Sequence, residues 1–212
     1  MVRVTLVAVC AMVVMLCTGS APADDGRHMS GGIRTISVRF TLDEDERSTV
    51  LMDLTARADD VLVMVSVQVG PDGELRSWTK WEEGLPRLIR WDASARRVEE
   101  VPLPAAPTVT QVLEDAIGPL DDPGTRGYRE VAPNTYEISE GLGIFRLHAP
   151  DELDLRVFEA VDPGSGKVLS RISGIRLGDR PGVTGDLLEK MAAVPLGGGG
   201  AGARFLRPEE PS

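Results

Sequence analysis

Between residues 34 and 101 apolar and polar side chains alternate with a period of two. Ile36, Val38, Phe40 and Leu42 share one face of 34–42, and Val50, Met52, Leu54 and Ala56 share one face of 48–56. Valine occupies every odd position from Val61 to Val69. This is the period of a β-strand, whose successive side chains point to opposite faces. Turn chemistry separates the runs at DEDER, RADD, GPDG, EEGLP and DASARR. Strand-length segments at such spacing predict an antiparallel meander. Residues 44–58 also fit a second template. Asp43 and Glu46 match a capping box, and Val50, Leu51, Leu54 and Ala58 match a helical stripe. The β-branched Thr49, Val50 and Thr55 favour a strand there.

The prolines of VPLPAAPT (101–108) cannot continue a central strand. A short amphipathic helix follows, with Val112, Leu113, Ala116 and Ile117 on one face. Strands resume near 127–131, 135–139, 142–148, 154–161 and 167–177, and a last helix is expected at about 185–193 with Leu187, Leu188 and Met191. The pattern predicts a mainly-β chain: an antiparallel β-sandwich with one or two short helices over 33–180. The alternatives are an α+β fold with a helix at 44–58, or a meander barrel. A division into two sub-modules would fall near 101–126. The lead 24–32 and the glycine-rich tail 195–212 carry too little apolar surface to order themselves. The stretch 38–75 resembles, in pattern and not in motif, the strands of bacterial export-associated sandwich modules.

The chain opens with Arg3, an apolar run from Val4 to Cys17, and the small residues Ala21-Pro22-Ala23. That is the plan of a secretory signal, with cleavage expected after Ala23. As a helix the run would span about 21 Å, short of a hydrocarbon core of roughly 30 Å. The expected location is therefore secreted or periplasmic, with no integral membrane segment after cleavage. A lipoprotein anchored through Cys17 is disfavoured, because Val14-Met15-Leu16 lacks the small residue wanted before the cysteine. Both cysteines, Cys10 and Cys17, lie in the signal, so the exported part has no disulfide.

The net charge of −10 argues against nucleic acid as a partner, since that binding rests on phosphate neutralisation. Lysine occurs only at Lys80, Lys167 and Lys190, and the arginine excess reads as the coding bias of a GC-rich bacterial genome.

Catalytic motifs fail on inspection. DPGSGK (162–167) has Val161 where a P-loop needs its first glycine and Val168 where it needs a hydroxyl, so it reads as a hairpin turn. SWTK (77–80) matches S-x-x-K, but on a strand Ser77 and Lys80 point to opposite faces. His28 and His148 are the only histidines, too few for an ordinary zinc site. No cofactor is implied; the one metal signal is the acidic turns 43–46, 59–60 and 121–122, as oxygen ligands for Ca²⁺.

All three tryptophans, Trp78, Trp81 and Trp91, lie in SWTKWEEGLPRLIRW (77–91). If EEGLP is a five-residue hairpin loop, Trp81 faces Arg87, Thr79 faces Ile89 and Trp78 faces Arg90. Trp81 and Trp91 then share a core face. Trp78 sits on the other face among Arg76, Lys80 and Arg90, a cationic aromatic surface suited to an anionic glycan or an acidic envelope protein. The expected function is that of an exported, non-enzymatic binding module. A barrel-like carrier of an apolar small molecule and a hydrolase with an unrecognised carboxylate site are the alternatives.

Overall fold

The structure is a computed structural model, which describes residues 32–194 apart from 45, 104, 141 and 142. The expected signal peptide, most of the lead and the tail from 195 lie outside the described residues. The strands are β1 (Ile33–Asp43), β2 (Arg47–Arg57), β3 (Asp60–Val69), β4 (Leu75–Glu82), β5 (Arg87–Asp92) and β6 (Arg97–Pro102), then β7 (Arg129–Ala132), β8 (Thr135–Glu140), β9 (Gly143–His148), β10 (Val157–Val161) and β11 (Val168–Gly178). Among the described residues two α-helices accompany them, α1 (Val109–Ile117) and α2 (Gly185–Ala192). The fold is mainly β and antiparallel, and its strands form one eleven-stranded sheet in the order β6-β5-β4-β3-β2-β1-β11-β10-β9-β8-β7. The contested segment at 44–58 is strand β2, so the α+β alternative falls. The strand expected from 154 starts later, because Leu153–Leu155 forms a 3-10 turn.

Two meanders meet at the β1–β11 seam, where Leu42 faces Ile172 and Val38 faces Leu177. A bulge interrupts the seam between Arg39 and Thr41, and Gly174 takes a left-handed φ of 62° there. Glycine adopts that conformation without a Cβ penalty. β6 and β7 are consecutive in the chain yet lie at opposite edges. Residues 103–128 therefore carry the chain across one face of the sheet, here termed the first face.

Helix α1 makes that crossing, and polar contacts hold both of its ends. The Thr108 side chain accepts the Gln111 N–H while the Gln111 side chain accepts the Thr108 N–H, a reciprocal capping box. The Asp59 carboxylate accepts the Thr110 N–H, and the Asp59 carbonyl accepts the Val109 N–H at 2.8 Å. This pins the helix start to the β2–β3 turn. At the other end Glu114 pairs with Arg126 at 2.8 Å, and the Arg156 guanidinium donates to the Pro119 carbonyl at 2.9 Å. Gly118 closes the helix so near Leu147 and Phe158 that a Cβ there would touch both.

The first face carries the main core. Val38, Phe40, Leu42, Val50, Met52, Leu54, Ala56, Met64, Trp81, Leu88, Leu147, Phe158 and Ile172 pack with Val112, Leu113 and Ile117 of α1. The opposite, second face has a smaller core, in which Val67 and Trp78 pack with Val183, Leu187 and Met191.

Elsewhere the second face carries a row of charges in a particular order. Arg129, Glu137, Arg146, Glu159, Arg171, Asp43 and Arg47 are successive cross-strand neighbours on β7, β8, β9, β10, β11, β1 and β2. The sign alternates at every step. Arg146 lies 2.7 Å from Glu137 and 3.6 Å from Glu159, Arg171 is 3.8 Å from Glu159, and Arg47 is 3.7 Å from Asp43. Directly opposed unlike charges favour this register, and a slip by one strand position would oppose none of them. Glu159 sits between two cations, so Glu159→Gln should cost about 0.5–1 kcal/mol at low salt. Glu159→Arg, which sets three cations in line, should cost more. Urea unfolding should show both losses shrinking in roughly 1 M salt, where the screening length is about 3 Å. A loss insensitive to salt would mean that packing, not charge, holds the row.

Candidate functional site

The tryptophan segment was the candidate site, and its geometry follows from the β4–β5 register. Trp78 faces Trp91, Thr79 faces Arg90, and Lys80 faces Ile89. The pairing differs by one residue from that expected of a five-residue loop. β4 runs on to Glu82, and the link 83–86 turns at Gly84, whose φ is 81°. The Leu85 N–H donates to the Glu82 carbonyl, and the Trp81 indole N–H donates to the Leu85 carbonyl. The shift by one moves every β5 side chain to the other face relative to β4.

The expected division of the tryptophans is thereby corrected. Trp81 is buried in the first-face core at 1% exposure, as expected. Trp78 is also 1% exposed, on the second face beneath α2. Trp91 lies opposite Trp78 and is half-buried. The ring expected to be open to ligand is thus closed over, and one expected in the core is the accessible one.

The cations separate as well. Arg76 and Lys80 share the second face with Trp78, but Arg90 pairs with Thr79 and lies on the first. Each has a carboxylate neighbour. Arg76 reaches Glu46 and Glu74 (3.3 Å), Lys80 lies 2.6 Å from Glu82, and Arg90 pairs with Glu99. The hydrogen bond that Arg76 donates to the Glu46 carboxylate raises the Arg76 pKa above its ordinary value, against the opposing effect of burial. The Arg90 hydrogen bond holds the Glu99 carboxyl below the usual range. Cations so paired present little net positive potential to an anionic ligand.

The acidic turns serve as caps and ion-pair partners. Asp59 holds the start of α1, Asp122 accepts the Gly124 N–H at 2.9 Å, Asp43 pairs with Arg47, and Glu46 pairs with Arg76. Among the described residues, no three or more His, Cys, Asp or Glu side chains come together as a metal site. His148 rests its Nδ1 3.3 Å from the Thr135 hydroxyl, on the charged side of the sheet. The DPGSGK segment is a turn in which the Asp162 carboxylate accepts the N–H groups of Gly164 and Ser165.

Two features escaped the sequence reading. The first is an aromatic surface on the first face toward β7–β9, formed by Tyr128, Tyr136 and Phe145. These pack on the main core but are only half-buried. Phe145 stacks on Phe158 at a centroid distance of 6.0 Å. Alternation around Tyr136 and Phe145 signals that they face one way, but not that their cover is incomplete. The second is Asp115 on α1, whose carboxyl is pushed up to about 7 by burial, with Glu114 adding to the effect. It flanks the apolar stripe of α1, where a polar residue is normally solvated.

No protein-family profile matches the sequence, and no curated protein matches it either.

Two measurements check these assignments. Iodide should quench Trp91 while Trp78 and Trp81 stay protected, and Trp78→Ala should cost about 3–5 kcal/mol, as for other buried large aromatics. A loss below about 1 kcal/mol would instead fit a solvent-exposed ring. For Asp115, the folded state holds its proton more tightly than the unfolded state does. Its contribution to stability is therefore full below the ordinary carboxylate value and is lost as pH rises to about 7. Asp115→Asn should flatten stability across that window and raise it above pH 7, as read by thermal unfolding at a series of pH values.

Proposed function

We propose that this chain is an exported, non-enzymatic binding module of a bacterial cell envelope, and that its ligand is apolar. The half-covered aromatic surface of Tyr128, Tyr136 and Phe145 beside α1 carries the reading. Ligand sites are mostly apolar and aromatic, with a few polar groups that fix orientation. Here Tyr128 and Tyr136 each add a hydroxyl to an otherwise apolar set. The anionic glycan or acidic partner has weaker support, because Arg76, Lys80 and Arg90 are divided between two faces and paired with carboxylates. Export rests on the plan of residues 1–23 alone.

The exported protein should begin at Asp24 and should copurify with an apolar compound detectable by native mass spectrometry. A fluorescent apolar probe should bind the emptied protein, and Phe145→Ala or Tyr136→Ala should weaken it about tenfold, the equivalent of about 1.4 kcal/mol. Arg90→Ala should leave it unchanged. Probe binding indifferent to both aromatic variants would remove this surface as the site.

A further inference from the structure

Helix α2 covers Trp78, yet it is too short and too weakly capped to hold itself as a helix. It has eight residues, where isolated helices below about 12–15 are marginal in water. Its first residue is Gly185, and the Thr184 side chain at its N-cap makes no capping hydrogen bond. α2 is therefore helical because it is docked. Among the described residues the docking is fastened by polar contacts at both ends. The Asp53 carboxylate, on β2, accepts the N–H groups of Gly182 at 2.7 Å and Val183 at 2.9 Å. At the far end the Lys190 ammonium donates to the Gly73 carbonyl at 3.1 Å. Between them Val183, Leu187 and Met191 pack on Val67 and Trp78.

The surface under the helix carries an uncompensated cost. The Trp78 indole N–H is buried and, among the described residues, meets no acceptor. A buried donor without a partner works against the docked state. Lifting α2 would release that donor, and it would join Trp78 to Leu51, Ile89 and Trp91, which are already part-exposed around it.

We propose that α2 is a releasable strap, fastened by Asp53, and that its undocking uncovers an apolar tryptophan surface while the eleven-stranded sheet stays folded. Elements with few fastenings and short local structure open with free energies well below that of global unfolding. The strap lies on the face opposite the Tyr136–Phe145 surface and does not depend on what that surface binds.

Native-state hydrogen exchange of the full chain, read by mass spectrometry on peptides, tests it. Residues 183–193 should exchange through an opening at least about tenfold more frequent than that of β1 and β2. Asp53→Ala should speed the strap's exchange about tenfold further, as loss of hydrogen bonds to a charged acceptor implies, without changing β1–β11. The naphthalene dye ANS should bind this variant and not the wild type. Gly185→Ala acts in the opposite direction: its Cβ would meet nothing within 4 Å, and better helix propensity should slow strap exchange about two- to fivefold. Exchange of 183–193 at the same rate as β1 and β2 in all three proteins would overturn the proposal. So would Asp53→Ala loosening sheet and helix together, since Asp53 would then hold the sheet and not the strap.

Discussion

The pairing of β1 with β11 is the constraint on which the rest of the structure depends. It is the seam where the meander from β1 to β6 and the meander from β7 to β11 become one sheet. Without it the first face would be two separate apolar surfaces, and α1 would have no continuous floor to cross. The seam also completes the charged row, because Asp43 on β1 stands opposite Arg171 on β11. A bulge at Arg39 to Thr41, eased by Gly174, brings Phe40 and Ile175 into one core despite the irregular pairing.

The second constraint is that both faces of the sheet are apolar near β3 and β4. Val67 and Trp78 point away from the main core, and water would meet them if nothing covered them. α2 resolves that conflict with a helix that has little intrinsic stability. On the far half of the same face no cover is needed, because the alternating charges of β7 to β11 are at home in solvent. One sheet thus solves the same problem in two ways.

Much of this architecture was legible along the chain. The odd-numbered valines of 61–69, the inward set Val38–Phe40–Leu42 and the prolines of 101–107 placed the strands and the break between meanders. The stripe Val112–Leu113–Ala116–Ile117 placed α1. The tryptophan site was not legible, and the reason is physical. Alternation tells which residues share a face of one strand, but the loop sets how two strands align, and EEGLP accommodates either of two registers. In most hairpins the polar face would reveal the error; here Trp78 and Trp81 are both suited to burial, so each register buries a tryptophan. The charged row was hidden for a related reason. Its members lie far apart in sequence, and only the completed pairing of seven strands shows that they are neighbours.

The β1–β11 seam also sets an order of events for a chain that emerges from its N-terminus. β1 is among the first segments to appear and β11 among the last. The first meander can pair locally as it is made, because antiparallel neighbours need only short turns. Its β1 edge then waits, with unpaired backbone groups, for a partner that arrives after nearly all other strands. Until that moment the polypeptide lacks its complete core, and α1 has only part of the floor on which it packs in the finished fold. A sheet whose first and last strands must pair reaches its final form only once the last of them has been made.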